Sequence, residues 1–207
     1  MEKLMEEKKT TLWQEIKICR VDETNYPHDL KKIKDRPEVL YYRGNIDILN
    51  EHKSIAVVGS RKISAVGAKL AYNAGSIIGK NGFNLVNGLA LGCDAEALKG
   101  ALAAGGKCAV EVLKQGGCLI SEYPEGTRPE KYRFVQRDRL QSGMSQGVLV
   151  VEAMEKSGTM HTAEYAKKQN RRLACYYHGL LKYSTGNNVL ENLYQAAVIK
   201  TNEDLEN

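Results

Sequence analysis

From residue 54 onward the chain alternates short apolar runs with longer runs of helical period. SIAVVGS (54–60), NLVNGLA (84–90), CLISEYP (118–124), GVLVVEA (147–153) and LACYY (173–177) are apolar runs, four of them holding or running into a glycine or proline turn. Unbroken apolar runs of this length predict strands buried on both faces, as in a parallel sheet. KCAV (107–110) is also strand-like, although short. Between the runs, residues 65–80, 93–106, 157–171 and 187–196 carry alanine, leucine and isoleucine at helical spacing and predict helices. Gly105-Gly106 ends the second of these. Strand and helix in alternation, with glycine at the carboxyl ends of strands, predict an α/β, doubly wound, mostly parallel sheet with its ligand site along those ends.

The first fifty residues lack this rhythm. Leu4, Leu12, Trp13 and Ile16 among charges predict a small helical element within 1–20. Residues 21–52 are irregular, punctuated by Pro27 and Pro37, with VLYYRG (39–44) as a short strand. The expected organisation is an N-terminal extension over 1–38, a core over 39–200 and an acidic tail over 201–207.

Composition narrows the class. The 207 residues are 27% charged and 43% hydrophobic, ordinary for a globular chain. No apolar stretch approaches the roughly 18 residues of a membrane span, and the opening residues are too charged for a secretory signal. The five cysteines form no CxxC pair, and the four histidines have no ligand-like spacing. No metal site or disulfide framework is expected, and a reducing cytoplasm fits.

Charge locates the chemistry. Net charge is +5, and residues 53–139 hold 13 basic and 7 acidic side chains, whereas 1–52 hold 10 and 11 and 140–207 hold 7 of each. The positive excess therefore sits in the middle of the chain, where it favours a polyanion. Within it, Gly59-Ser60-Arg61 closes the first core strand; its backbone and Arg61 suit a phosphate, although the dinucleotide fingerprint GxGxxG is absent. Gly88 lies in a small-residue turn before Asp94, which is placed to cap the first turn of its own helix or to orient neighbouring groups. Ser157-Gly158-Thr159 opens another helix with hydroxyls and free N–H groups. Residues 128–139 hold five cations and two aromatics, among them Lys131, Phe134, Arg137 and Arg139, the combination that lets bases stack while cations follow a backbone. No GxSxG, HExxH or P-loop occurs, and no catalytic constellation or cofactor is expected.

Taken together, VLYYRGN, IAVVGSRKISAVG, LVNGLALGCDAEALKGALAAGGK, LISEYPEGTRPEKYRFVQRDRLQSGMS and VLVVEAMEKSGTMHTAEYA, in this order over most of residues 39–190, resemble the DprA/Smf DNA-processing family. The resemblance implies an extended Rossmann-like core and a non-catalytic, homodimeric protein. Such a protein binds single-stranded DNA and presents it to RecA during DNA uptake and recombination. It also implies that Arg61, Lys131, Phe134, Arg137 and Arg139 line the DNA pocket. Three departures stand out. Asp138 stands where the family usually has asparagine, no histidine lies close after Asp94, and the family's winged-helix C-terminal domain is expected to be absent. A fourth is a junction: the family carries roughly twenty more residues after its KCAV-like strand, whereas here Val110 runs directly into Glu111, leaving seven residues before CLIS where a parallel crossover needs about a dozen. The expectation is an interruption of the chain at that point, or else a true deletion. Two other readings stand beside this one. One is a nucleotide-binding enzyme or sensor akin to lysine-decarboxylase-like phosphoribohydrolases, although the double glycine of their Pro-Gly-Gly-x-Gly-Thr motif is missing. The other is a protein–protein scaffold that has lost DNA binding through Asp138.

Overall fold

The computed structural model describes residues 15–102 and 108–206. Five parallel strands form the main sheet, in the spatial order β4 (Asn84–Val86), β3 (Ser54–Val58), β6 (Gly147–Val150), β7 (Arg172–Tyr176) and β8 (Ala197–Ile199). The long helices are α1 (Ala65–Lys80), α2 (Cys93–Leu102), α3 (Cys108–Lys114), α4 (Lys131–Gly143), α5 (Gly158–Lys168) and α6 (Thr185–Asn192). The α/β, Rossmann-like expectation thus holds.

The apolar runs work as strands because both of their faces are covered. Ala56, Val58, Val148 and Val150 pack with Met160 and Ala163 of α5 and Leu190 of α6. Their neighbours Val57, Leu149 and Val151 point the other way, against Ala71, Ala74 and Ile78 of α1 and Ala97 of α2. Alternation along each strand feeds two separate cores. Helices α1 and α2 meet backbone to backbone: a Cβ on Gly75 would collide with the Ala97 carbonyl oxygen, and one on Gly100 with that of Tyr72. Glycine is therefore required at this crossing.

A second, antiparallel sheet joins β1 (Lys17–Arg20), β2 (Val39–Gly44) and β5 (Cys118–Ser121) in the order β1-β2-β5. Cys19, Tyr26, Leu30 and Ile33 share one core with Leu40, Ile46 and Leu140 of α4. Residues 17–38 are thereby packed into one body with β2 and α4. The edges of β4 and β5 face a mostly apolar cavity of about 530 Å³ lined by Leu85, Leu98, Leu119, Leu140 and Met144 among others.

Several expectations need correction. Lys17–Arg20 is a strand rather than the end of a helix, because β2 offers it an antiparallel edge; residues 1–14 lie outside the described residues. Cys108–Val110 begins helix α3, not a strand. The apolar positions Val110, Val112 and Leu113 suit one helix face as well as a strand, and so short a run carries too little periodicity to decide. Helix α3 spans Val110 and Glu111. The short connection is adequate because β5 joins the antiparallel sheet and needs no parallel crossover. The last of the long helices ends at Asn192, and strand β8 lies where the sequence pattern predicts no element.

Candidate nucleic-acid interface

Strand order reverses at β3 and β6: the chain leaves β3 toward β4 and leaves β6 toward β7 and β8. Ligand crevices of doubly wound sheets open at such a point, beyond the carboxyl ends of the strands. A cavity of about 650 Å³ lies there, lined by Gly59, Ser60 and Arg61 after β3, by Ser157, Gly158 and Thr159 at the start of α5, and by Phe134, Arg137 and Asp138 of α4.

Arg61 and Phe134, 73 positions apart in sequence, come together. The guanidinium carbon of Arg61 is 5.7 Å from the ring centroid and that of Arg137 is 5.9 Å from it, both within cation–π range. Phe134 is 42% exposed, an unusual state for a ring with core-forming capacity, and it leaves aromatic surface free in the cavity. Helix α5 points its N-terminus into the same space, where its unpaired N–H groups favour an anion. The Ser157 hydroxyl is buried without a hydrogen-bond partner, although it occupies the N-cap position. The Ser60 hydroxyl, by contrast, is engaged: it donates to the Lys62 carbonyl at 2.9 Å and accepts from the Lys62 N–H at 3.1 Å. At this turn that leaves the Arg61 and Lys62 cations, rather than the serine hydroxyl, available to a ligand.

Arg137 is fixed from two sides. Its Nη1 donates to the Gly88 carbonyl at 3.0 Å, and its Nη2 lies 3.4 Å from Asp138 Oδ1. A Cβ on residue 88 would fall 2.5 Å from Nη2, so only glycine lets the guanidinium lie there. Asp94 holds the other side of the Gly88 turn. Its Oδ2 accepts from the Gly88 N–H at 2.8 Å and the Ala90 N–H at 3.3 Å, so it bonds the preceding loop and not the first turn of its own helix. Burial pushes the Asp94 carboxyl above its ordinary pKa, against the pull of those two N–H groups.

Lys131 and Arg139 are not in this cavity. Lys131 is exposed at the first turn of α4. Arg139 points to the opposite side of the helix, where it forms a bidentate pair with Glu122 at 2.9 and 2.7 Å and a further bridge to Asp35 at 3.2 Å. Lys62, Thr162 and Tyr183 line the cavity without having been singled out in the sequence; the first sits next to Arg61, and the other two carry no local signal. Glu152, fully buried, was missed as well: its Oε2 accepts from the Ser64 N–H at 2.8 Å, its Oε1 from the Tyr183 N–H at 3.3 Å, and its main-chain oxygen from the Ser60 N–H at 2.7 Å. An acid closing the most apolar run in the chain was the available clue.

Asp138 forms part of the cavity wall and is 7% exposed. Burial lifts its pKa from the usual 3.8 to about 6, with Arg137 opposing the rise. The fold thus favours the protonated form. That contribution is complete below about pH 4 and is lost as pH rises through 6. Asp138→Asn is therefore expected to be more stable than the parent near pH 8, by on the order of 1–2 kcal/mol. The advantage should shrink toward pH 4. Urea unfolding of both proteins at the two pH values measures it, and a gap that does not change with pH would contradict the assignment.

The DNA recombination-mediator protein A family matches residues 17–113 and 107–207, two stretches that overlap over 107–113, at the junction where the sequence is shorter than the family pattern. Protein Smf of Synechocystis is 35% identical over 172 residues, covering 72% of this chain and 43% of that protein. DNA processing protein DprA of Bacillus subtilis is 32% identical over 179 residues, covering 77% of this chain and 60% of that protein. The chain thus spans about half the length of these relatives. A solved structure concerned with the single-stranded-DNA binding mode of DNA processing protein A from Helicobacter pylori superposes with a TM-score of 0.81 at 26% identity, over 93% of this chain and 94% of that one. With the match running through both sheets and every wall of the cavity, the chain belongs to the DNA recombination-mediator protein A family.

Proposed function

We propose that this protein binds single-stranded DNA without cutting it, in DNA uptake and recombination. The observation that carries the reading is the Arg61–Phe134–Arg137 cluster at the mouth of the α5 N-terminus. Phosphates are drawn by Arg61, Lys62 and the N–H groups of α5, and an unpaired base stacks on the free surface of Phe134. Among the described residues no group in the cavity pairs a nucleophile with a base, which suits holding a strand rather than breaking it. Family membership, and the subject of the Helicobacter pylori structure, support the same ligand. Family membership is also the support for a cytoplasmic homodimer that hands its strand to RecA.

The test is the affinity of a labelled oligonucleotide as a function of salt. Arg61→Ala is expected to weaken binding and to reduce the slope of log affinity against log salt by about one. Phe134→Ala is expected to cost about 1–3 kcal/mol with little change of slope, since stacking releases no counterions. Binding unaffected by both substitutions would refute the assignment.

A further inference from the structure

We propose that Tyr183 is a second stacking platform, so that the cavity holds two neighbouring nucleotides of one strand, one base on Phe134 and the next on Tyr183; this rests on the single-stranded-DNA reading above. Both residues line the cavity, and both are left half open, Phe134 at 42% and Tyr183 at 48% exposed. Each ring is attended by cations. Arg61 and Arg137 stand over Phe134, and Lys182 Nζ lies 5.3 Å from the Tyr183 ring centroid. An open aromatic beside a cation, twice in one cavity, is the composition of a surface along which an unpaired strand runs.

The sheet sets the order of these groups. Strands β3, β6 and β7 are consecutive neighbours. Arg61, which stands over Phe134, follows β3; Ser157 and the N-terminus of α5 follow β6; Tyr183 lies in the segment between β7 and α6. The end of α5 that favours an anion thus issues from the strand between the two that carry the platforms. β3 and β7 are two strand spacings apart, about 10 Å. An internucleotide phosphate joins two nucleosides, one on each side. With such a phosphate at the α5 N-terminus, one base falls toward Phe134 and the other toward Tyr183.

Tyr183 is held in place by its main chain, which leaves its ring free for a ligand. Its N–H donates to Glu152 Oε1 at 3.3 Å. Glu152 also accepts from the N–H groups of Ser60 and Ser64, in the turn that carries Arg61. Both platforms are therefore anchored to one buried residue. The next residue, Ser184, is buried, and its hydroxyl donates to the His178 and Leu181 carbonyls at 2.8 and 3.2 Å, which steadies the segment from below.

The experiment measures the affinity of a labelled oligo-dT for the parent, for Tyr183→Ala, Tyr183→Leu, Tyr183→Phe and Phe134→Ala, and for the variant with alanine at both positions. Tyr183→Ala is expected to weaken binding at least about fivefold with the salt slope unchanged, since stacking releases no counterions. Tyr183→Leu fills the space without an aromatic face and should bind as poorly as Tyr183→Ala. Tyr183→Phe keeps the ring and should restore binding to within about twofold of the parent. Rings that hold separate bases act independently, so the double variant should lose the product of the two single losses, within about twofold. Parent-like binding by Tyr183→Ala, or restoration by leucine as complete as by phenylalanine, overturns the second platform, while a loss in Phe134→Ala keeps DNA binding intact. A double variant no weaker than Phe134→Ala alone would mean a single base shared by both rings and overturns the two-nucleotide arrangement. Binding indifferent to Phe134→Ala overturns the DNA assignment itself.

Discussion

Arg139→Ala is expected to lower the free energy of unfolding by about 3–5 kcal/mol while leaving the salt dependence of oligonucleotide binding unchanged. The guanidinium is 11% exposed and engaged through all three of its nitrogens. It donates to Glu122 through both ends, to the Asp35 carbonyl at 3.0 Å and to the Gln136 carbonyl at 2.7 Å. It thereby ties α4 to the end of β5 and to the segment that leads into β2. Glu122 is itself 11% exposed, so removing Arg139 leaves a carboxylate with little access to water and no counter-charge. Such stranding, rather than loss of the pair as such, supplies most of the cost. Arg139→Lys should recover only a fraction, because an ammonium cannot match the planar two-point contact. Urea unfolding and a salt titration of binding are both needed. Unchanged stability with a slope reduced by about one would place Arg139 at the DNA instead.

Glu152→Ala is expected to cost about 2–4 kcal/mol and to weaken oligonucleotide binding as well, although Glu152 touches no ligand. The carboxylate occupies the N-terminus of the 16-residue helix α1, where a negative charge is favoured, and it accepts from main-chain N–H groups of residues 64 and 183. Its loss strands both donors and opens a void beneath the Gly59–Ser64 turn that carries Arg61. Ser64 keeps its own cap, with its hydroxyl accepting from the Gly67 N–H at 3.0 Å, so α1 should frame the site less firmly without unwinding. Glu152→Gln retains one acceptor and should fall between. Equal urea midpoints for parent and Glu152→Ala would show that water takes over both N–H groups, and the positioning role would fail.

Much of the architecture was legible because it arises from local periodicity. The runs at 54–58 and 147–150 are apolar at nearly every position, as a strand covered on both faces requires, and 65–80 carries its small residues at a helical spacing that matches α1 residue for residue. Reading was weakest where that signal is short or two-sided. Cys108–Val110 fits a strand and a helix equally, and its neighbours decide for the helix. Strand β8 spans three residues, too few to show a period, and exists because β7 presents an edge to it. β1 likewise forms only because β2 accepts it.

The functional site divides along the same line. The order of amino acids by itself determined the α/β core, the concentration of positive charge over residues 53–139, and the glycine and hydroxyl turns that end its strands. Each of these is a property of neighbours in the chain or a sum over it. Only the tertiary structure decided which cations serve the cavity. Arg137 and Arg139 have the same chemistry and lie two residues apart, but on a helix that spacing turns them roughly 200° from one another. One meets Phe134 and the other is locked to Glu122. The same holds for Asp138, which lines the cavity only because the packing of α4 turns it there. Such facing depends on contacts between segments dozens of residues apart, and no local pattern encodes it.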